Sequence, residues 1–551
     1  MTRLHRSTLL NALAGQLPRA PGLRLTGSVR VNGGGAGSGP SQGYVTQNDE
    51  FFAQDSVLET LTLAAQLRLP RRMPAARKHA LVAALVAQLG LARVAHSKVG
   101  GAKTRGISGG ERKRLAIACE MLASPSLLFL DEPTSGLDSF SALSVMQALK
   151  ALASRGHTLV ASIHQPRGSI WALFDDVILL AEGGALLYSG PAEGATAHFA
   201  DEGLPCPGGS NPAEHLLDVA SIDYSSAEAE QASRARVAKL AAAWASRGAG
   251  AAAGAVAARP EAGAIASAPL PWWQQFRLLL ARAWRQATRD TTALRARLAS
   301  SLSSAAVFAA VFWRLDRSQA SIQSRLGLLQ VCAVNTAMSS LVKTLQLFPR
   351  ERTVVQRERA NGHYGVGPYF LAKLAAELPI GAVFPALFGA AVYPACGLAP
   401  SLPRFLSFLG MLTLESFSAS AIGMTISALA PSAQAALAIG PATFVIFIVF
   451  GGVYVNQQTV PKPLRWIPST SLIKHSFEGL CLNELRGACF LASQPGDAAT
   501  GEQVLRRIAF EQSRIRDTLL AQTGILVTNW LLTYRILRRR KPKFVAIEDG
   551  T

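Results

Sequence analysis

The sequence predicts two architectures in succession, an α/β domain through about residue 226 and an all-α domain of six membrane-spanning helices from residue 272 to 541. Three observations carry this reading. Short apolar runs of strand length, such as Leu127-Leu128-Phe129-Leu130 and Leu159-Val160-Ala161-Ser162-Ile163, alternate with amphipathic helical stretches before Ser225. Charged residues become sparse after Arg297, where six apolar segments follow, each near the roughly 20 residues a bilayer core requires. Between Glu415 and Lys462 there is no charged residue, and Ala430-Pro431-Ser432 interrupts that interval, which reads as two spans and a tight turn.

At the N-terminus, Met1 to Arg6 shows no leader-peptide pattern and enters a helix-like Ser-Thr-Leu-Leu run with no strand before it. Residues 227–271 turn Ala- and Gly-rich and read as a helical or flexible linker. Trp272 to Arg297 is amphipathic and carries six arginines, which suits a helix lying at the cytosolic membrane face; a solvated basic helix is the alternative. The six spans are placed at 298–315, 326–348, 369–393, 405–429, 435–455 and 518–537, with residues 456–517 as an ordered extracytosolic loop. Arginine clusters before the first span, at 350–359 and at 538–540 fall on one side when the span count is even. The expectation is a multi-pass integral membrane protein with both termini cytosolic, the plasma membrane being favoured over an organelle membrane.

Composition narrows the function. A net charge of +20 and a pI near 10.2 invite a nucleic-acid reading, but the excess lies in arginine clusters beside apolar runs, which topology explains better. No nucleic-acid partner is therefore expected. Six cysteines occur without CxxC spacing, against a zinc ribbon or redox motif. Cys481 and Cys489 fall in the expected extracytosolic loop, where a disulfide between them and two free thiols are both open readings.

The chemistry concentrates in an ordered set of motifs. Asp131-Glu132 closes the apolar Leu127–Leu130 strand, so that one carboxylate can hold a magnesium ion through water and the other can polarise a water attacking a phosphoryl group. Strand-terminal acids alone are a weak signal. Upstream, Ile107-Ser108-Gly109-Gly110-Glu111-Arg112-Lys113-Arg114 is a Gly-Gly turn entering a helix whose amides and Ser108 hydroxyl can grip a γ-phosphate. Downstream, Ser135-Gly136-Leu137-Asp138 and His164-Gln165-Pro166 supply a turn acid and an imidazole at the end of a second strand. A lone histidine is usually structural; its place in this series reverses that reading.

These residues resemble the ABC ATPase family, a P-loop fold. Ser108 to Glu111 is similar to its signature, Asp131-Glu132 to its Walker B pair, Ser135 to Asp138 to its D-loop, His164 to its switch histidine, and Gln47 in Tyr44-Val45-Thr46-Gln47 to its Q-loop glutamine. The order of ATPase first and membrane domain second, with Ile-Ser-Gly-Gly-Glu-Arg-Lys-Arg and Ser-Ile-His-Gln-Pro-Arg, resembles the G subfamily, the White-Brown half-transporters, in a plant-type form. The resemblance implies ATP and Mg2+ as cofactors, bound between the Walker motifs of one subunit and the signature of its partner. It assigns Asp131 and Gln47 to magnesium, Glu132 to water activation, His164 to the γ-phosphate, and Ser108, Gly109 and Gly110 to closing the opposite site.

One motif departs from the family. A P-loop needs Gly-x-x-x-x-Gly-Lys-Ser/Thr so that backbone amides wrap the phosphates. Ser7-Thr8-Leu9-Leu10 fits the helix after such a loop, but Arg6 stands at the lysine position, His5 at the second glycine, and the first glycine would precede Met1. A planar guanidinium does not replace a compact ammonium there. Two origins are open, a sequence beginning inside the motif or a diverged loop, and Ser7 in the magnesium-ligand position favours the first. Arg6, Ser7 and Thr8 remain nucleotide-binding candidates.

In the membrane half, Lys373 and Glu377 are spaced i, i+4 and can pair on one helix face, whereas Glu415 has no such local partner. Each is a candidate for a substrate path or for helix pairing. The segment Arg350 to Tyr364 is expected, by resemblance, to couple to the ATPase domain. The expected function is ATP-driven export of an amphipathic or lipid-like substrate by a homo- or heterodimeric half-transporter in contact with membrane lipid. The rival is a non-hydrolysing regulatory partner half. A soluble DNA-associated ATPase would accommodate the basic pI, but the six spans argue against it.

Overall fold

The computed structural model describes residues 3–20, 22–27, 29–31, 34–35, 42–47, 49–101, 104–251, 270–452, 461–492, 494, 496–540 and 544–545. Contacts divide the chain at Leu270/Pro271 into two units, with Phe544 and Val545 belonging to the first, where the Val545 amide donates to the Leu17 carbonyl at 2.9 Å.

The first unit runs α1 (Arg3–Leu13), β1 (Arg30–Val31), β2 (Gly34–Gly35), β3 (Gln42–Val45), α2 (Val57–Arg68), α3 (Ala75–Gln88), α4 (Gly109–Met121), β4 (Leu127–Asp131), α5 (Ser139–Ala153), β5 (Thr158–Ser162) and α6 (Gly168–Trp171). It ends with β6 (Asp176–Leu180), β7 (Leu186–Pro191), α7 (Ala192–Asp201), α8 (Pro212–Ala220) and α9 (Ala227–Ala251). Strands β3, β4 and β5 form a parallel sheet with β4 in the centre. Every residue of β4 is buried because helices cover both faces, so its sequence is a continuous apolar run without alternation. Successive side chains still point to opposite sides. Leu127 and Phe129 pack with Leu10 of α1, while Leu128 and Leu130 join Leu61, Leu115, Ile117 and Val145 from α2, α4 and α5. The first part of the expected linker is the helix α9, whose Val237 and Leu240 are buried with Tyr188 and Phe199.

The second unit comprises α10 (Trp272–Arg289), α11 (Thr291–Val311), α12 (Gln319–Ala360), α13 (Val366–Ala395), α14 (Leu402–Leu429), α15 (Ala433–Val449), α16 (Trp466–Thr470), α17 (Leu472–Leu485), α18 (Gly501–Arg507) and α19 (Ile515–Arg539). Helices lie at all six places where spans are expected. Among the described residues α12, α13 and α14 are long and apolar enough to cross a membrane, and α15 is apolar but shorter, at 17 residues. Part of the expected fifth span, from 453 onward, lies outside the described residues.

Two features differ from the expectation. The arginine-rich segment after the second span is no loop as far as Ala360, because α12 continues through Pro349 for 42 residues, about 63 Å, roughly twice the bilayer core. Its charges are answered by other helices. Arg352 donates to the Ser427, Ala428 and Ala430 carbonyls at 2.6, 3.3 and 3.1 Å, capping the C-terminus of α14, and Arg359 donates to the Leu537 carbonyl of α19 at 2.8 Å. The second difference lies within 456–517. There α17 is packed into the helical core, with Phe477, Leu480 and Leu485 against Leu328 and Leu329 of α12 and Phe408 and Leu412 of α14. Cys481 is buried on that helix, Cys489 is exposed, and both are free thiols, so the disulfide is not formed in this structure.

Candidate functional site

The chemistry-bearing residues of the first unit meet at the C-terminal end of the parallel sheet. In the β4–β5 register Asp131 stands opposite Ser162. Asp131 is buried, and its Oδ1 accepts from Ser162 Oγ at 2.7 Å and from Ser7 Oγ at 3.0 Å. Glu132 follows with φ of 43°, a left-handed conformation costly for a side chain-bearing residue, and its amide donates to the same Ser162 Oγ at 2.9 Å. That bend turns the Glu132 carboxylate to Gln47, whose Nε2 donates to Oε2 at 2.5 Å. The sequence therefore named four of the converging residues, Ser7, Gln47, Asp131 and Glu132. It missed Ser162, whose only signal is a hydroxyl residue at the end of the strand preceding His164.

The Gln47 segment is itself held from α4. Lys113, buried on that helix, pairs with Asp49 at 2.8 Å and donates to the Thr46 and Gln47 carbonyls at 3.2 and 3.0 Å. It stands inside the Ser108–Arg114 run, where sequence reading gave the lysine no role of its own. Tyr44 of β3 donates its hydroxyl to Asn11 Oδ1 of α1 at 2.6 Å, and burial, aided by the Asp131 charge, raises the phenol above its ordinary range, so it stays a neutral donor.

A second cluster is built from two helix starts. Ser108 caps α4 in a reciprocal box, its Oγ accepting from the Glu111 amide at 3.3 Å while Glu111 Oε2 accepts from the Ser108 amide at 2.8 Å. Asp138 caps α5 by accepting from the Ser141 amide at 3.1 Å, and the Ser141 hydrogen bonds hold its carboxyl below the usual carboxylate range. The two starts touch so closely that a Cβ on Gly110 would meet the Ser141 Cβ at 2.8 Å, and one on Gly109 would meet Leu137 Cδ2 at 3.0 Å. Ser108, Gly109 and Asp138 are exposed, and no hydrogen bond among the described residues joins Ser108–Glu111 to Ser7, Asp131 or Glu132. His164 is exposed at the end of β5, Thr8 lies on α1 beside Ser7, and the Arg6 side chain lies outside the described part of the structure.

In the helical unit the i, i+4 pair forms. Lys373 Nζ lies 2.7 Å from Glu377 Oε1 and also donates to Glu351 Oε2 of α12. Glu415 is completely buried on α14, facing the buried Ser476 hydroxyl of α17, and neither of its oxygens makes a hydrogen bond of ordinary geometry among the described residues.

Comparison with known proteins fits this geometry. The family described as ABC transporter matches residues 6–135, and the ABC-2 type transporter family matches residues 274–485. The chain is 48% identical over 98% of its length to ABC transporter G family member 7 of Arabidopsis thaliana, covering 76% of that protein. It is 31% identical to Protein white of Drosophila melanogaster over 97% of the chain and 80% of that protein. To the broad substrate specificity ATP-binding cassette transporter ABCG2 of Sus scrofa it is 33% identical, over 88% of the chain and 77% of the relative. The chain belongs to the G family of ABC transporters, an ATP-binding domain followed by an integral membrane domain in one half-transporter.

Proposed function

We propose that the chain is one half of a dimeric exporter that couples ATP hydrolysis to movement of an amphipathic or lipid-like substrate. One observation carries the reading. Ser7, Gln47, Asp131 and Glu132 converge at the end of β4, while Ser108 and Gly109 of the signature turn are exposed and make no hydrogen bond to Ser7, Asp131 or Glu132 among the described residues. A subunit so arranged offers half of each of two sites, and a second half-transporter, identical or different, completes them. The residues fit Mg2+-nucleotide, since Ser7, Gln47 and Asp131 present oxygen donors in one place, with Ser162 orienting the Asp131 carboxylate. The bound nucleotide supplies the phosphoryl group. Glu132 takes a proton from the attacking water, Gln47 fixes the direction of its carboxylate, and His164 approaches the γ-phosphate on closure. The arginine clusters support cytosolic termini.

The test is Glu132→Gln in the purified full chain in nanodiscs, alone and with candidate partner halves. ATP binding is retained and turnover falls by about a hundredfold or more, the scale of a lost general base. Turnover unchanged from wild type removes Glu132 from the mechanism. His5-Arg6 in place of Gly-Lys favours a second reading, a non-hydrolysing partner half. In that case Glu132→Gln changes nothing in a heterodimer, whereas Ser108→Arg still blocks turnover at the partner's site.

A further inference from the structure

Five helices of the membrane unit surround a pocket with a charged end. Arg297 of α11, Lys343 of α12 and Glu377 of α13 line it, with Leu378 of α13, Phe417 of α14 and Trp530 of α19 giving it an apolar wall. The charges around it do not balance. Glu377 and Glu351 both bind Lys373, and Arg297 lies over the Phe384 ring at 3.8 Å, a contact that attracts the cation without neutralising it. Lys343, within electrostatic reach of all four of these charges, makes no hydrogen bond or ion pair among the described residues. Three cations thus face two carboxylates. The pocket hydroxyls of Ser340 and Ser416 bond to each other at 2.7 Å and supply no charge.

An uncompensated cation at membrane depth is costly, and side chains kept in this state line ligand or ion paths. From this juxtaposition we infer that the pocket binds the phosphate head of an anionic phospholipid, Lys343 and Arg297 donating to its oxygens and the apolar wall receiving the start of an acyl chain. One negative charge completes the balance. A zwitterionic head brings its own ammonium and restores the excess, so the site discriminates by net charge rather than by phosphate alone. The pocket lies within one subunit and needs neither nucleotide nor partner, so this inference stands apart from the hydrolysis reading.

The experiment uses the full chain in nanodiscs of phosphatidylcholine with and without phosphatidylglycerol, with retained lipid identified by native mass spectrometry. Phosphatidylglycerol is expected to be retained in preference to phosphatidylcholine. Lys343→Gln is expected to weaken that retention about tenfold to a hundredfold, the range of one charge-assisted hydrogen bond, and Lys343→Arg to keep it. If Lys343→Gln does not fold, Arg297→Gln reports on the second cation. Equal retention of the two lipids by wild type, or full retention by a folded Lys343→Gln or Arg297→Gln variant, overturns the inference. Labelled phosphatidylglycerol that changes leaflet with ATP identifies the lipid as cargo, and retention without movement identifies it as a resident ligand; both support the site.

Discussion

Arg282→Met isolates one buried charge. The guanidinium, 3% exposed on α10, gives Nη1 to both Glu358 oxygens at 2.8 and 2.9 Å and Nη2 to the Tyr364 hydroxyl at 3.1 Å, and that hydroxyl donates to Glu358 in turn. Methionine keeps most of the side-chain volume, so the change is chiefly electrostatic. It leaves the Glu358 carboxylate, with 19% of its side chain exposed, without its cation. Losing one partner of a buried pair costs about 3–5 kcal/mol, and the partial exposure of Glu358 places this case near 3. At about 2–4 °C per kcal/mol for a unit of this size, the melting temperature falls by roughly 6–12 °C. Adding Glu358→Gln removes the orphaned charge while keeping an acceptor for Tyr364. The double variant is therefore expected to regain at least half of the loss, and because Glu358→Gln alone orphans the more buried Arg282, the coupling between the two sites is expected to reach about 4 kcal/mol. Thermal denaturation in detergent, followed by fluorescence-detected size exclusion, measures all four corners of the cycle. A single variant melting within about 1 °C of wild type, or a double variant showing the sum of the two single losses, refutes the reasoning.

Ser162→Ala removes a donor to Asp131 and the acceptor that holds the Glu132 amide, so ATP turnover is expected to fall about tenfold to a hundredfold with Ser162→Thr largely restoring it, as read by phosphate release. Asp138→Ala is expected to lower the urea midpoint of the ATPase unit. The folded Asp138 carboxyl titrates below its usual range, so its contribution is present above that range and is lost as pH falls through the folded value; the gap between variant and wild type then closes. Glu415→Leu is expected to leave the melting temperature unchanged or raised, because no ordinary hydrogen bond to the carboxylate is lost, and a drop of several degrees contradicts that account.

The legible parts of this protein are those set by short-range pattern. A continuous apolar run ending in two acids marks a covered strand and its candidate catalytic end, and β4 with Asp131 and Glu132 has that form. Ser7 was legible because it keeps the hydroxyl position of the motif, although α1 begins at Arg3 rather than at Ser7. Ser162 was not, because it reaches Asp131 through the pairing register of two strands distant in sequence. In the membrane half, apolar length located the helices, while the extent of α12 escaped it. Pro349 and a cluster of arginines read as the end of a helix, yet the cost of those charges is met by carbonyls of α14 and α19, which no local pattern displays. The burial of α17 was hidden for a similar reason: its apolar residues form a stretch too short to span a bilayer, and its place is fixed by packing against helices remote in sequence, α12 and α14 among them.

Charge burial separates the joints of this molecule from its candidate sites. Lys113 is answered by Asp49 and two carbonyls, Arg282 by Glu358 and Tyr364, and Arg325 by Glu484 at 2.6 Å with carbonyls of Leu315, Asp316 and Gly397. In each case a buried cation is satisfied by segments remote in sequence, so the charge fixes the position of those segments, and its removal should cost stability. Lys343 and Glu415 obey the opposite arithmetic. Glu415 is fully buried and Lys343 is half-buried at the pocket, yet among the described residues neither receives a bond comparable to these, so packing alone gives no reason for their charge or polarity. A side chain whose charge or polarity the fold does not repay is a candidate for a contact outside the fold, and that puts Lys343 and the α14 carboxyl, rather than the Lys373–Glu377 ion pair, first among the membrane-domain candidates.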